Sequence, residues 1–187
     1  MADGAEIESE AAALTAALAG KQPGFRWLMK NHRASVFRIV RGYVGNDDDA
    51  MEVTQESFVS AFAALRRFDP ARPFRTWLLA IAVNKCRDWA RKRKVRSLFA
   101  FALPLEEAGH VASSAPNPEE SLASANEVAR IHRALAALPA NLREPLILCA
   151  VEGISQDEAA EILRISRKAV ETRIYRARQK LSVLLEG

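Results

Sequence analysis

The sequence predicts an all-α protein made of two small helical domains joined by a flexible linker. Apolar residues recur at helical spacing, and the alternation typical of strands is absent. Around residues 97–124 this pattern decays into "PLEEAGHVASSAPNPEES", a composition typical of a solvated linker. The 187 residues, 49% of them hydrophobic, suffice for two small cores. We expect a tail or short helix at 1–22, a first domain at 23–96, a linker at 97–124 and a second domain at 125–187.

Three helices account for the first domain. Apolar residues near one face of "FRWLMKNHRASVFRIVRGYV" predict the first helix, which Gly45 ends. Asn46–Asp49 supply N-cap candidates for a second helix over "DDDAMEVTQESFVSAFAALRRF". After the turn "DPARP", a third helix runs from Arg75 to Arg96. Its first half is apolar on several faces and belongs in the core, whereas its second half is too basic to be buried.

Four helices account for the second domain, over "ANEVARIHRALAAL", "NLREPLILCAVEG", "SQDEAAEILRI" and "SRKAVETRIYRARQKLSVLLEG". Pro145 lies close enough to a helix start to cost little. In the last pair, Ser155 is spaced to cap a helix with Glu158, and Ala159 is small where two helices must cross. A turn at Ile165 then leads into a second helix. This pattern predicts a helix-turn-helix.

Positive charge is concentrated in two places, although the formal net charge is only +4 and the isoelectric point about 9.3. No Lys or Arg lies between Ser97 and Ala129. One block ends the first domain and the other lies in the last helix: Lys85, Arg87, Arg91, Lys92, Arg93, Lys94 and Arg96, then Arg167, Lys168, Arg173, Arg176, Arg178 and Lys180. Long cationic side chains on one face of a recognition helix suit phosphates and base edges, so both blocks indicate nucleic-acid binding.

Other classes of protein fit the sequence less well. Cys86 and Cys149 lie far apart in apolar helices and are expected to be buried thiols rather than a disulfide or a metal pair. The three consecutive acids Asp47–Asp49 point in different directions, and no His or Cys stands at ligand spacing, so we expect no metal, no cofactor and no enzyme. The N-terminus lacks the features of a secretory signal, and no apolar run is long enough to span a bilayer. We expect a cytoplasmic protein.

Three segments carry a resemblance to a known family. "DDAMEVTQESFVSAFAALRRFD", "FRTWLLAIAVNKCRDWARKRK" and "LPANLREPLILCAVEGISQDEAAEILRISRKAVETRIYRARQKL" resemble conserved regions two and four of bacterial sigma factors of the extracytoplasmic-function group. The resemblance covers most of the chain, in the right order. It implies a transcription initiation factor that binds core RNA polymerase, recruits it to promoters and helps to open the DNA.

The resemblance also implies roles for individual residues. One set matches the helix that grips the clamp helices of the largest polymerase subunit: Asp49, Glu52, Gln55, Glu56 and Phe58. A second set falls where the family contacts the minus-ten element: Arg72, Phe74, Arg75, Asn84, Lys85 and Arg91. A third set matches the helix that reads the minus-thirty-five element: Arg167, Lys168, Thr172, Arg173 and Arg176. Further implied partners are the flap of the second polymerase subunit and an anti-sigma factor.

Two positions depart from the family's pattern. Ala80 and Ile81 stand where housekeeping sigma factors carry an aromatic pair that wedges into the duplex, so opening is expected to rely more on base capture and on a strong promoter match. Arg164 replaces a glycine often found in the turn of the helix-turn-helix. The linker segment "SLFAFALPL" is also unusually apolar, which suggests that it packs on something.

Three alternatives remain open from the residues alone. A helix-turn-helix regulator acting without polymerase would need only the second domain and leaves the first unexplained. An enzyme would need Asp47, Asp48 and Asp49 as metal ligands. A structural or adaptor bundle would bind neither polymerase nor DNA.

Overall fold

The computed structural model describes residues 7–102 and 120–186. Eight α-helices cover most of these residues, and no strand occurs among them, which confirms the all-α prediction. The helices are α1 (Glu10–Leu18), α2 (Gln22–Val44), α3 (Asp47–Ala64), α4 (Phe74–Ala102), α5 (Glu120–Ala137), α6 (Ala140–Leu146), α7 (Gln156–Leu163) and α8 (Arg167–Glu186). A short 3-10 turn follows α3, and a π-helical segment, Ile147–Val151, continues α6.

Helices α1 to α4 form the N-terminal bundle. Its core is built from the apolar stripes that the sequence predicts, with Leu28, Val36, Phe58 and Leu78 at most 2% exposed. Helix α1 packs on α2 at Gly24, where a Cβ atom would lie 2.4 Å from the backbone nitrogen of Ala17. Only glycine permits this approach of two backbones. Residues 1–22 therefore include a short helix packed on the bundle.

Helices α5 to α8 form the C-terminal domain. Ala159 is fully buried where α7 crosses its neighbours, and Val170, Ile174 and Ala177 of α8 are buried as well. Pro145 lies inside α6 rather than at its start, and the chain widens into the π-helical segment directly after it. Because proline has no N–H to donate and its ring crowds the preceding turn, such local irregularity of the helix is expected.

The helices extend past the predicted limits of the linker. Helix α4 continues to Ala102, and α5 begins at Glu120. The remaining residues of the predicted linker, including the end of "SLFAFALPL", lie outside the described residues. The division of the chain at 97–124 therefore stays a prediction.

The N-terminal bundle and the C-terminal domain pack against each other. Helix α2 contacts α5 and the π-helical segment, and α4 contacts α7. At the centre of this interface Gly42 of α2 faces Ile147, whose Cδ1 would lie 3.2 Å from a Cβ at position 42. Arg143 stacks over the ring of Tyr43, with its guanidinium carbon 4.0 Å from the ring centroid. The interface thus combines a tightly packed apolar contact with a cation–π contact.

Candidate nucleic-acid interface

Helix α8 presents its basic face to solvent. Arg167, Lys168 and Arg176 are exposed, while Thr172 and Arg173 are half-buried. Arg167 forms an ion pair with Asp157 at 3.4 Å, and Lys168 Nζ lies 3.0 Å from a carboxylate oxygen of Glu171. Exposed pairs of this kind are weak and readily exchanged for other partners. The five residues predicted to read DNA therefore share one accessible helix.

Local capping interactions set the start of each helix of this motif. The hydroxyl of Ser155 accepts the N–H of Glu158 at 3.2 Å, and the Glu158 carboxylate accepts the N–H of Ser155 at 3.1 Å. These hydrogen bonds from the hydroxyl and backbone of Ser155 hold the pKa of Glu158 below its usual value. Ser166 accepts the N–H of Ala169 at 3.2 Å at the start of α8. The predicted capping box at Ser155 is confirmed, and Ser166 caps the following helix.

The turn between α7 and α8 adopts the conformation that a glycine would favour. Arg164 has φ 56° and ψ 48°, the left-handed region, and is the sole non-glycine residue with positive φ in the described chain. Its Cβ crowds the following carbonyl there, which costs about 1–2 kcal/mol. The turn keeps its geometry although arginine replaces the expected glycine, and it does so at a cost in strain.

Helix α4 directs one stripe of side chains toward the C-terminal domain. Thr76, Ala80, Asn84 and Arg87 recur at spacings of four, four and three residues, which places them on the same face. With Arg72 and Trp77 they line one wall of a cleft of about 230 Å³, and the other wall consists of Glu161, Ile162 and Arg164. Two residues predicted to contact minus-ten DNA, Arg72 and Asn84, thus face the C-terminal domain.

A buried carboxylate, Glu152, holds one end of this face. Its side chain is 1% exposed and accepts hydrogen bonds from Arg38 at 2.9 and 3.0 Å, from Arg75 at 2.6 Å and from the hydroxyl of Ser35. Arg75 also donates to the backbone carbonyl of Glu152 at 3.0 Å. Burial opposes ionisation of Glu152, but the hydrogen bonds from Arg38, Ser35 and Arg75 outweigh it and lower the pKa. Glu152 is therefore a carboxylate at neutral pH.

A second buried carboxylate, Glu144, holds the other end. It accepts two hydrogen bonds from Arg87, at 2.8 and 2.7 Å, in the bidentate geometry that suits guanidinium and carboxylate. The Glu144 hydrogen bond raises the pKa of Arg87 above its usual value. Arg87 also donates to the amide oxygen of Asn84 at 3.3 Å. Asn84 is thereby linked to the C-terminal domain through a single arginine.

The other residues predicted for minus-ten DNA lie apart from this cleft or below the surface. Arg91 is exposed and pairs with Asp88 one turn away, and Lys85 is half-buried. Phe74 is 1% exposed and packs edge-on against Phe68, with ring centroids 5.4 Å apart. Its position is that of a core residue in this arrangement.

Helix α3 contributes a separate surface. Glu52 and Gln55 are exposed, Asp49 and Glu56 are half-buried, and Phe58 is buried. Three of these five line a groove of about 530 Å³ between α2 and α3. The groove is lined by Glu52, Gln55, Phe58, Met51 and Thr54 of α3 and by Met29, Arg33 and Phe37 of α2. Met29 and Met51 are 40% and 52% exposed, so the groove offers apolar surface rimmed by charge. Such a groove suits a partner helix.

Sequence reasoning missed the carboxylates that face α4. Glu144 and Glu152 flank the seven apolar residues "PLILCAV", and they stand eight residues apart, close to two helical turns. Two acids on one side of an otherwise apolar helix are unusual, because a buried carboxylate requires a partner. That pattern could have marked both as buried ion-pair residues, although it does not reveal the arginines involved.

Two other features are absent from the described parts of the chain. No cluster of three or more His, Cys, Asp or Glu side chains there could hold a metal ion. None of the helices described combines the length and apolar character needed to cross a lipid bilayer.

Comparison with known proteins gives a consistent result. The family model "Sigma-70 region 2" matches residues 28–96, and "Sigma-70, region 4" matches residues 129–181. The chain is 44% identical to RNA polymerase sigma factor CnrH of Cupriavidus metallidurans, over 91% of both chains, and 38% identical to sigma factor NccH of Alcaligenes xylosoxydans, over 90% of both. The structure of CnrH in complex with the cytosolic domain of CnrY is similar, with a TM-score of 0.69 at 36% identity over 93% of this chain and 95% of that one.

Proposed function

The chain belongs to the sigma-70 family of RNA polymerase sigma factors, in its extracytoplasmic-function group, and from this we propose how its surfaces divide the work of transcription initiation. It is a transcription initiation factor that binds core RNA polymerase and promoter DNA. The observation that carries the proposal is the separation of three surfaces: the α2–α3 groove, the stripe on α4 and the basic face of α8.

The α2–α3 groove binds core polymerase. Its apolar floor, with Met29 and Met51, buries area against a helix of the partner, and the rim residues Glu52 and Gln55 fix orientation by hydrogen bonds. Because the polar rim residues are exposed, they can change without unfolding the bundle. We assign this groove to the clamp helices of the largest polymerase subunit, and the C-terminal domain to the flap of the second subunit.

The two remaining surfaces bind DNA. The face of α8 with Lys168 and Arg173 contacts the minus-thirty-five element, and Arg176 contacts mainly phosphate. The stripe of α4 with Asn84, together with Arg72 and Arg75 at its start, contacts the minus-ten element as the duplex opens. The protein acts in the cytoplasm, without a catalytic role of its own.

An anti-sigma factor controls this protein. The related CnrH was solved in complex with the cytosolic domain of CnrY, and the exposed apolar groove on α2 and α3 is a surface for which such a partner can compete with polymerase. The purified chain is therefore expected to be active with core polymerase in the absence of that partner.

Reconstituted transcription tests the proposal. Core polymerase with the purified chain, on a library of genomic fragments, is expected to initiate at mapped sites that share minus-thirty-five and minus-ten elements. The variant Glu52→Ala with Gln55→Ala should lose core affinity roughly tenfold or more while its helical content stays unchanged, because both side chains are exposed on the rim of the groove. Unchanged core affinity in a folded double variant would remove the groove from the assignment.

A further inference from the structure

We propose that Met29 and Met51 form a reversible oxidation site, at which a peroxide converts both thioethers to sulfoxides and weakens the binding of core polymerase. The proposal rests on the proposed function for the identity of the partner. The oxidation itself rests on the exposure and the chemistry of side chains within this chain.

The two internal methionines of the chain lie in the same groove. The sequence contains three methionines, and those other than Met1 are Met29 of α2 and Met51 of α3, which both line the α2–α3 groove of about 530 Å³. Met29 also lines a neighbouring depression of about 450 Å³, together with Phe25 and Phe62. Methionine oxidation in the described chain is therefore confined to this apolar surface.

Both side chains are accessible in the folded bundle. Met29 and Met51 are 40% and 52% exposed, whereas Phe58, which lines the same groove, is 2% exposed. Methionine is usually buried in folded proteins, and two exposed ones in a groove indicate a surface that a partner covers for part of the time. A peroxide can thus reach both sulfur atoms in the free chain without any opening of the bundle.

The reaction is a transfer of one oxygen atom to each sulfur. A lone pair of the thioether attacks one oxygen of the peroxide, so that an S–O bond forms while the O–O bond breaks. The sulfur is oxidised by two electrons and the peroxide is reduced. With hydrogen peroxide, the proton on the transferred oxygen moves to the leaving hydroxide, and each methionine yields one sulfoxide and one water. A thioether has no proton to lose, so its reactivity does not depend on pH near neutrality.

The two cysteines compete poorly for the same oxidant. Cys86 is fully buried and Cys149 is half-buried. Burial raises the pKa of the Cys86 thiol to about 12 and raises the pKa of Cys149 as well. Because the thiolate is the form that peroxides oxidise, neither thiol is activated at neutral pH. The exposed thioethers of the groove are therefore the preferred targets.

A sulfoxide changes what the groove can bind. It is polar and chiral, whereas Phe37 and Phe58 beside it offer no hydrogen-bond donor. Arg33 and Gln55 line the same groove and can donate to a sulfoxide oxygen, but each donor used in this way is withdrawn from the partner. Burying an unsatisfied polar group is costly, so we expect core affinity to fall roughly tenfold or more after oxidation.

The experiment compares three forms of the full-length chain: the natural sequence, Met29→Leu with Met51→Leu, and Met29→Gln with Met51→Gln. Leucine keeps the apolar volume but cannot be oxidised, whereas glutamine imitates the polarity of a sulfoxide. All three forms keep Met1, so oxidation of that residue cannot explain a difference between them. Circular dichroism verifies that each form is folded.

Each form is treated with hydrogen peroxide, which catalase then removes before core polymerase is added. Dithiothreitol reverses oxidation of thiols to sulfenic acids or disulfides, and peptide mass spectrometry locates the sulfoxides. Core affinity is compared with that of the untreated sample of the same form, so that any effect of leucine on untreated binding does not enter.

The natural chain should gain sulfoxides at Met29 and Met51, at a rate that does not change between about pH 6 and pH 8, and lose core affinity roughly tenfold or more. Methionine sulfoxide reductases for both sulfoxide epimers should restore it. The leucine form should keep the affinity of its own untreated sample. The glutamine form should bind core polymerase roughly tenfold more weakly than the leucine form without any oxidant, which decides the question if the leucine form does not fold.

Two kinds of failure are distinguishable. If untreated natural chain binds core polymerase, then unmodified methionines after treatment, unchanged affinity of the doubly oxidised chain, or an equal loss in the leucine form would each overturn the oxidation site alone. If untreated natural chain does not bind core polymerase, the proposed function fails, and the proposed effect of oxidation fails with it.

Discussion

Helices α4 and α8 carry the two basic surfaces of the chain, yet they differ in what lies against them. The basic face of α8 is open to solvent, and its ion pairs are exposed contacts with Asp157 and Glu171. Part of the α4 stripe that we propose contacts DNA is instead covered by α7 and by two buried glutamates. The number of basic residues therefore does not determine whether a DNA-binding surface is available. The positions of acids on the neighbouring domain decide it.

The largest expected difference concerns base contacts on α8. Because this face is exposed in the free chain, Lys168→Ala or Arg173→Ala should weaken minus-thirty-five binding by about 1–3 kcal/mol and relax specificity at one base pair. Arg176→Ala should weaken binding to all sequences and flatten its dependence on salt concentration. Binding of the free chain to duplex promoter variants, measured by fluorescence anisotropy at several salt concentrations, distinguishes the two.

A uniform loss across all promoter variants for both Lys168→Ala and Arg173→Ala would contradict base recognition by α8. If binding of the free chain were undetectable until polymerase is added, the basic face of α8 would be as unavailable to DNA as the covered stripe of α4.

The second prediction concerns Asn84 on the covered stripe. Asn84→Ala should leave closed-complex affinity nearly unchanged and lower DNA opening, or specificity at the minus-ten element, by roughly tenfold, the value of one good amide–base contact. Permanganate reactivity of unpaired thymines in the complete polymerase–promoter complex measures the opening. Normal opening with unchanged specificity would remove Asn84 from the DNA interface.

The smallest expected effect comes from the turn that precedes α8. Arg164→Gly should relieve the left-handed strain at φ 56° and stabilise the fold by about 1 kcal/mol after the greater flexibility of glycine in the unfolded chain is counted. For a chain of this size the melting temperature should rise by about 2–4 °C. Arg164→Ala removes the same charge from the cleft but keeps Cβ, so it should not reproduce the gain. Equal stabilisation by both variants would assign the effect to charge rather than to backbone strain.

The sequence predicts the helices and their caps well because these depend on residues close together in the chain. The hydrogen bond from the Asp49 N–H to Asn46 at 2.9 Å and the capping box at Ser155 are examples. The exposed basic face of α8 also follows from helical periodicity, since its apolar residues can bury only one side. The left-handed conformation of Arg164 could be predicted from its position in the turn of the helix-turn-helix, but not from its residue type, because arginine disfavours positive φ.

The closure of the two domains could not be predicted in this way. Glu144 meets Arg87 across 57 residues, and Glu152 meets Arg75 and Arg38 across 77 and 114 residues. Periodicity indicates that these glutamates lie on an apolar helix, but not which cation faces them. The contact between Gly42 and Ile147 likewise depends on how the two folded domains pack against each other.

The closed contact has a thermodynamic consequence for the order of assembly. If only the open form engages the minus-ten strand, and polymerase also selects the open form, each ligand raises the affinity for the other by the same factor, because linkage is reciprocal. Free copies of the protein would then compete with the assembled enzyme only through α8 at the minus-thirty-five element, and not at the minus-ten element. The buried carboxylates Glu144 and Glu152 would thus couple promoter binding to polymerase binding. The coupling would arise although the chain has a single binding site for each of these two partners.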